Sequence, residues 1–478
     1  MKRLAAAFVP VALLVSSCAV GQVDSIDDVG PLGADVHGTA ASSDPASLEL
    51  LLVAKAGGTP TPDDNDIVSP SNQNAWSRTA GGCLTVTPAA GSSHVYVPNS
   101  SFDTLSQYGI GASGALTPKT PESVATGWAP TWVAVSPDGG SVYVTNENDD
   151  SISQYDVGAN GAVTPKSPAT VATGDRPFTV AVSPDGDSAY VTALDDDAVL
   201  QYDIGAGGAL TPKTPLTVSA GDAPVRLAVS PDGASVYVTN DGTLSQYDAG
   251  ADGALTPKTP PTIPAGDGDR PFDVVVSPDG NSVYVSNPEV DSISQYDVGA
   301  NGALTPKTPP TVATGDRPLY LAVSPDGNSA YVSNRDGFSV SHYEVGADGA
   351  LTPKSTLTGD TYWYPNAVAI SPDGGSFYVT DAYEHNVRQY DIGTGGALTP
   401  KSTPTVPADL FPAAIAISPP RSFDVTAELG TSATHQCLTQ DYTLQPDTEY
   451  NVRLCARDST HTRWNCGGNR AFTTDPVL

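Results

Sequence analysis

Basic residues are scarce in this chain: 22 lysines and arginines stand against 53 aspartates and glutamates, a formal net charge of −31 over 478 residues. So acidic a surface repels phosphate backbones and excludes nucleic acid as a partner. Histidines number six, and those of the central region, His94, His342 and His385, share no spacing suited to metal ligation or acid–base work. A Gly-rich phosphate loop, a thiol redox pair and a serine elbow are missing too. No catalytic residue, metal or cofactor is therefore expected. No apolar run beyond the N-terminus is long enough to cross a bilayer; Leu48 to Val53 is far too short. Long helical periodicity is absent, whereas short Val-, Tyr- and Thr-rich runs are punctuated by 46 Gly and 43 Pro. The composition reads as all-β.

What is present is a beat of 47 residues. Prolines 130, 177, 224, 271, 318, 365 and 412 keep it, as do Tyr96, Tyr143, Tyr190, Tyr237, Tyr284, Tyr331 and Tyr378. Each period reads as four short strands. In one copy these are Val133–Val135, Val142–Thr145, Ile152–Tyr155 and a fourth opening near Ala162, with Ser136-Pro137-Asp138-Gly139 as the turn after the first. Strands repeated at this interval predict a closed ring, a seven-bladed β-propeller over 83–420. One blade is then composite, either through Ala413–Ile417 or through the weak copy Cys83–Pro88. Lysines 119, 166, 213, 258, 307, 354 and 401, on the outermost strands, read as protection against edge-to-edge pairing.

Residues 1–17 read as a signal peptide, with a basic start, an apolar stretch and Val15-Ser16-Ser17-Cys18. That last phrase resembles a bacterial lipobox, which implies cleavage before Cys18 and lipid attachment to its sulfur. Residues 18–82, rich in Gly, Ser, Pro and Asp, read as a flexible stalk in which Leu48–Val53 could dock as a strand. Residues 421–478 form a small β module. Leu444 to Arg453 followed by Phe472-Thr473-Thr474 resembles the last strands of a β-sandwich of fibronectin type III type. Cys83, Cys437, Cys455 and Cys466 make an even set suited to two disulfides in an exported chain. Three pairings are possible, and the sequence alone does not choose between them; a hairpin near Thr460 would set Cys455 against Cys466 and leave Cys437 for Cys83.

The phrases Ala322-Val323-Ser324-Pro325-Asp326-Gly327, Tyr331-Val332-Ser333-Asn334 and Gly349-Ala350-Leu351-Thr352 resemble the YVTN-repeat and lactonase group of seven-bladed propellers. The resemblance covers 84–420 and implies the propeller fold. Lactonases of the 6-phosphogluconolactonase-like kind carry Arg-His opening a first strand and Asn-Glu after a second. Here Arg176, Arg270 and Arg317 are followed by proline, and Asn146-Glu147 alone matches the second element.

In a propeller the loop approaching each first strand and the loop joining second to third strand share one face. On that face aromatic residues gather in contiguous blades: Phe102, Trp128, Trp132, Tyr362, Trp363, Tyr364, Tyr383, His385 and Phe411. The remaining blades present Asp-Arg pairs, read as local ion pairs. Asn146 to Asp150 and Asp195 to Asp197 read as solvated turns rather than calcium loops. Broad rings beside acids and amides suit stacking on sugars or gripping a peptide. The sequence thus predicts a monomeric, lipid-anchored propeller of the bacterial cell envelope, exported to an outer membrane or cell surface, that binds an extracellular protein or glycan. A sugar-lactone hydrolase and a structural surface-layer component are the alternatives.

Overall fold

The structure, a computed structural model, describes residues 93–419 except 159, 267–269 and 359–363. Beyond them it describes only strand backbone at 35–40, 48–56, 83–84, 86–88, 423–428, 436–437, 449–458, 465–466 and 470–473. The chain forms two compact units, Ser92–Pro419 and Met1–Gly91 with Pro420–Leu478.

The first unit is a seven-bladed propeller. Blade 1 pairs Pro130–Val135, Ser141–Asn146, Ser151–Val157 and Val163–Ala172 in antiparallel chain order. Blades 2 to 6 repeat this from Pro177, Leu227, Val274, Pro318 and Pro365. Blade 7 takes its inner strand, Ala416–Ile417, from the C-terminal side and the others, His94–Asn99, Thr104–Ile110 and Leu116–Ala125, from the N-terminal side. Ring closure thus uses the Pro412 copy. Val86–Pro88 pairs instead with Val425–Ala427 of the other unit.

The second strand explains why the beat is so strict. It is buried along its whole length in every blade, because both faces are covered by neighbouring blades. Side chains alternate across a strand, so Tyr143 points into one interblade core and Val142 and Val144 into the other. Tyr143 packs with Val180, Ala189 and Val191 of blade 2, and Tyr190 in turn with Val236 and Val238 of blade 3. Burying a ring of this size contributes about 2 kcal/mol.

Polar stitches cross the same interfaces. Each of the seven tyrosines donates its hydroxyl to a glycine carbonyl of the next blade at 2.6–2.8 Å, from Tyr96–Gly161 round to Tyr378–Gly114. Gly208, which accepts from Tyr143, has φ +72, and a Cβ there would lie 1.9 Å from Ser141 Oγ; no other residue fits that turn. Third-strand glutamines are two-sided: Gln154 Nε2 donates to the Pro168 carbonyl of its own blade, and its Oε1 accepts from Leu210 N–H of the next.

The lysines do more than protect an edge. Lys166 is buried; its ammonium binds Asp156 of its own blade and, at 2.7 Å, the Gly207 carbonyl of the next. Lys213, Lys258, Lys307 and Lys401 repeat the arrangement on Asp203, Asp248, Asp297 and Asp391. They tie blade to blade, because the turn of the following blade lies over the ammonium and leaves it carbonyls in place of water.

In the second unit, Asp35–Ala40 pairs with Phe423–Glu428, and Leu48–Ala56 with Glu449–Asp458. Both ends of the chain therefore contribute strands to it, including the Leu48–Val53 patch. Strand register sets Cys83 opposite Cys437 and Cys455 opposite Cys466. The signal segment and Cys18 lie outside the described residues.

Candidate functional site

The loop face is built on left-handed backbone. Residues just before the inner-strand prolines, Ala129, Arg176, Ala223, Arg317 and Phe411, have φ between 48° and 56°. Such a conformation costs an L-residue about 1 kcal/mol or more, so something must hold it. The holder is a residue of the preceding blade's second-to-third loop, itself left-handed. Asp103, Asp150, Asp197 and Asp291 accept the backbone N–H of Ala129, Arg176, Ala223 and Arg317 at 2.7–3.0 Å. Asp149 and Asp196 accept likewise from the N–H groups of Trp128 and Asp175 at 2.6 and 2.9 Å. The acidic loops thus spend carboxylates on loop backbone. No group of three or more His, Cys, Asp or Glu able to hold a metal occurs among the described residues.

At the seam the capping aspartate gives way to rings. Phe338 and His385 occupy its place with φ of 47° and 53°. Phe338 meets Tyr364 edge-on at 5.2 Å, Tyr364 lies 5.5 Å from Tyr383, and His385 lies 5.7 Å from Phe411. The loops themselves are zipped together. Ser100 N–H donates to the Phe411 carbonyl at 3.0 Å, Thr104 to Asp409 at 2.7 Å, and Thr126 N–H to the Asp103 carbonyl at 2.9 Å. Phe102, Trp128, Tyr383 and Phe411 are 55%, 59%, 56% and 48% exposed, and together with Val290 they are the exposed large hydrophobic side chains among the described residues. Six of the nine anticipated residues, Phe102, Trp128, Tyr364, Tyr383, His385 and Phe411, sit on these neighbouring loops. Tyr362 and Trp363 lie outside the described residues.

Trp132 is placed elsewhere. It lines the channel, stacked on Tyr320 at 5.8 Å and 8°. Between the inner strands lies Arg226, fully buried, its guanidinium 4.1 to 4.9 Å from the ring centres of Trp132, Phe178, Phe272 and Tyr320. The cation binds the Thr179 hydroxyl at 2.9 Å and the Tyr320 hydroxyl. Asp273, also buried, accepts Leu321 N–H at 2.9 Å. Burial pushes its carboxyl up to about 6 against the pull of Arg226. Nothing local in the sequence announces this plug, because Arg226 and Asp273 stand immediately before short apolar inner strands and only the closed ring brings them together.

The arginines of the charged arc form local ion pairs, as expected. Arg176 binds Glu147 through Nε and Nη2 at 3.1 and 2.6 Å, and Asp195 at 3.2 Å. Arg317 reaches Asp336 at 3.5 Å and Arg270 reaches Asp241 at 3.8 Å. The partners are loop acids of the same or preceding blade rather than the adjacent aspartates; at Arg176 and Arg317 the left-handed backbone turns the arginine across the rim. Glu147, the family-like position, is thereby held on the loop face by an arginine whose charge that pairing reinforces.

The profile of a family described as a lactonase, 7-bladed beta-propeller, matches residues 164–355 and 305–411. Among solved structures, the periplasmic gluconolactonase of Pseudomonas aeruginosa is 19% identical with a TM-score of 0.57, over 68% of this chain and 99% of that one. A Bacteroides fragilis protein provisionally named as a 6-phosphogluconolactonase is 20% identical with a TM-score of 0.57, over 68% and 98%. The hydrazine synthase of Kuenenia stuttgartiensis is 19% identical with a TM-score of 0.50, over 68% and 98%. At this identity the likeness is one of fold, which hosts unrelated chemistries. No curated protein matches the sequence.

Proposed function

From a chain that belongs to the lactonase family of seven-bladed β-propellers, we propose a saccharide-binding protein whose loop face grips its ligand through the seam aromatics. The observation that carries this reading is the gathering of Phe102, Trp128, Tyr383 and Phe411, all about half exposed, on adjoining loops. Solvent-facing rings on a scaffold with few other exposed hydrophobics mark a contact surface. Flat rings stack on the apolar faces of sugars, while Asp409 and Glu384 on the same loops supply hydrogen-bond acceptors. The signal-like start and the lipobox-like Cys18 support a place in the cell envelope. Export, lipid attachment and the two disulfides belong to this proposal.

Binding to a glycan array and to glucono-1,5-lactone tests it. Trp128→Ala with Tyr383→Ala should leave melting nearly unchanged, as surface changes do, and weaken retention by about tenfold or more, the loss of a stacking hot spot. Undiminished retention removes the arc from consideration.

Lactone hydrolysis is the second reading, favoured by the family and by the Glu147–Arg176 pair on the loop face. There the Glu147 carboxylate would take a proton from the attacking water, and Arg176 would face the charge developing on the carbonyl oxygen. Turnover of glucono-1,5-lactone that disappears in Glu147→Gln would establish it; no turnover would dismiss it.

A further inference from the structure

Blade 6 departs from the others at one buried point. In blades 1, 3, 4, 5 and 7 the second strand ends on an asparagine, and the third strand carries a serine seven residues on (five in blade 3). In blade 1 the Asn146 amide donates to Ser151 and Ser153 at 3.0 Å each, and its carbonyl accepts Gly127 N–H at 3.1 Å, a bond that blade 3 repeats from Gly221 to Asn240 and the carbonyls of Asn99, Asn287 and Asn334 do not make. Blade 6 has Asp381 and Arg388 in these places. Asp381 is fully buried, and its Oδ2 accepts from Arg388 Nε and Nη2 at 3.1 and 3.0 Å. Its Oδ1 gathers the backbone N–H groups of Tyr364, Tyr383 and Glu384 at 3.3, 3.1 and 3.0 Å.

One carboxylate oxygen therefore holds both loops that carry aromatic side chains in this blade. Five blades fold with a neutral asparagine here, its amide bonded to the third-strand serine, so a buried ion pair is not needed for the fold. A buried pair carries a desolvation cost that neutral groups avoid. What it adds is a charged acceptor, which binds several N–H groups more strongly than an amide oxygen does. That stronger acceptor stands where the aromatic arc needs fixed loops.

We infer that Asp381, charged and braced by Arg388, is the positioning residue of the ligand face, holding the backbone of Tyr364 and Tyr383 in the binding arrangement before ligand arrives. The inference rests on the saccharide-binding reading for its purpose, though not for its geometry. Preorganisation of this kind raises affinity by removing the ordering that binding would otherwise require.

The decisive variant is the double change Asp381→Asn with Arg388→Ser, which rebuilds in blade 6 the pair that already folds in blade 1. Its circular dichroism and cooperative melting should match the parent protein. Amide exchange at Tyr383 and Glu384 should quicken at least about tenfold, as a charge-assisted bond is replaced. Affinity for glucono-1,5-lactone, or for a soluble glycan retained by the parent, should fall by a similar factor. Arg388→Lys, which keeps the charge, should restore most of both. Unchanged exchange at Tyr383 and Glu384 in the double variant overturns the inference, as does faster exchange with full affinity. If the parent binds no saccharide, the functional reading fails by itself, and amide exchange still decides whether Asp381 positions the loops.

Discussion

Lys119 shows what a single residue does to this ring. Its counterparts each have a third-strand carboxylate, but the position facing Lys119 is Gly109. Among the described residues Lys119 keeps only the carbonyl of Asn160, at 2.5 Å. Burial pushes its pKa down. A Cβ at Gly109 would lie 3.7 Å from the Lys119 ammonium, ordinary contact distance, and the backbone there is not left-handed. Gly109→Asp should therefore supply the missing charge and stiffen the strand at once. We expect a gain of about 0.5–1 kcal/mol, seen as a higher thermal midpoint, and a Lys119 titration moved up toward its ordinary value. A lower midpoint would mean that the blade 7 to blade 1 interface cannot take the carboxylate.

At the scale of elements, the regular parts were legible and the buried exceptions were not. Tyrosine, proline and the Ser-Pro-Asp-Gly turn recur because every second strand fills the same slot between two blades, so periodicity revealed the strands and the ring. The tasks of the lysines were hidden, since an outermost strand reads as an exposed edge until the next blade's turn is seen over it. Arg226 and Asp273 were hidden for a like reason, as no local pattern announces a neighbour across a channel. Most of the aromatic arc was legible, because its residues break the repeat at corresponding loop positions. Trp132 breaks it too, one strand residue deeper, and ends in the channel.

The interface of blades 5 and 6 concentrates such exceptions. His342 stands where six blades carry glutamine, stacked on Tyr331 at 4.8 Å, with its ring nitrogens 3.2 Å from Ser355 Oγ and 3.4 Å from Ser329 Oγ. Among the described residues no glutamine bridge reaches the N–H of Leu398. Burial, with Lys354 adding to it, holds the imidazole pKa below its ordinary value against the pull of Glu344. The unfolded chain thus binds this proton more readily than the folded one. The stability from neutral His342 is present above about pH 6.5 and fades as pH falls below it. His342→Gln should restore the bridge to Leu398, raise the melting temperature, and flatten its dependence on pH between about 6.5 and 5. An equally steep profile in the variant would place the acid sensitivity elsewhere.

For the whole molecule, the question is whether the seam where the chain ends meet is as strong as the other interfaces. Its polar stitches repeat the internal ones: Tyr378 to Gly114 at 2.7 Å, Tyr108 to Pro407 at 2.6 Å, Leu116 N–H to Gln389 at 2.8 Å and Lys401 to Ser113 at 2.7 Å. The weaker part is the inner strand of blade 7, where the register joins only Ala416 to Tyr96 and Ile417 to Val95, with one further bridge from Asn99 to Pro412. Those few residues nonetheless cover one face of the core holding Val95, Val97, Ala414 and Ile415. Without them, blade 7 loses its pairing on the channel side and the ring becomes an array with two ends. Such an array melts as a sum of neighbouring units rather than at once. A chain of 93–419 should unfold in one cooperative transition, whereas 93–411 should broaden and begin melting at least about 10 °C lower, more than a single side-chain loss produces in a domain this large. Calorimetry decides between them: coincident transitions would mean that the outer stitches alone close the ring, and that the last strand is dispensable to it.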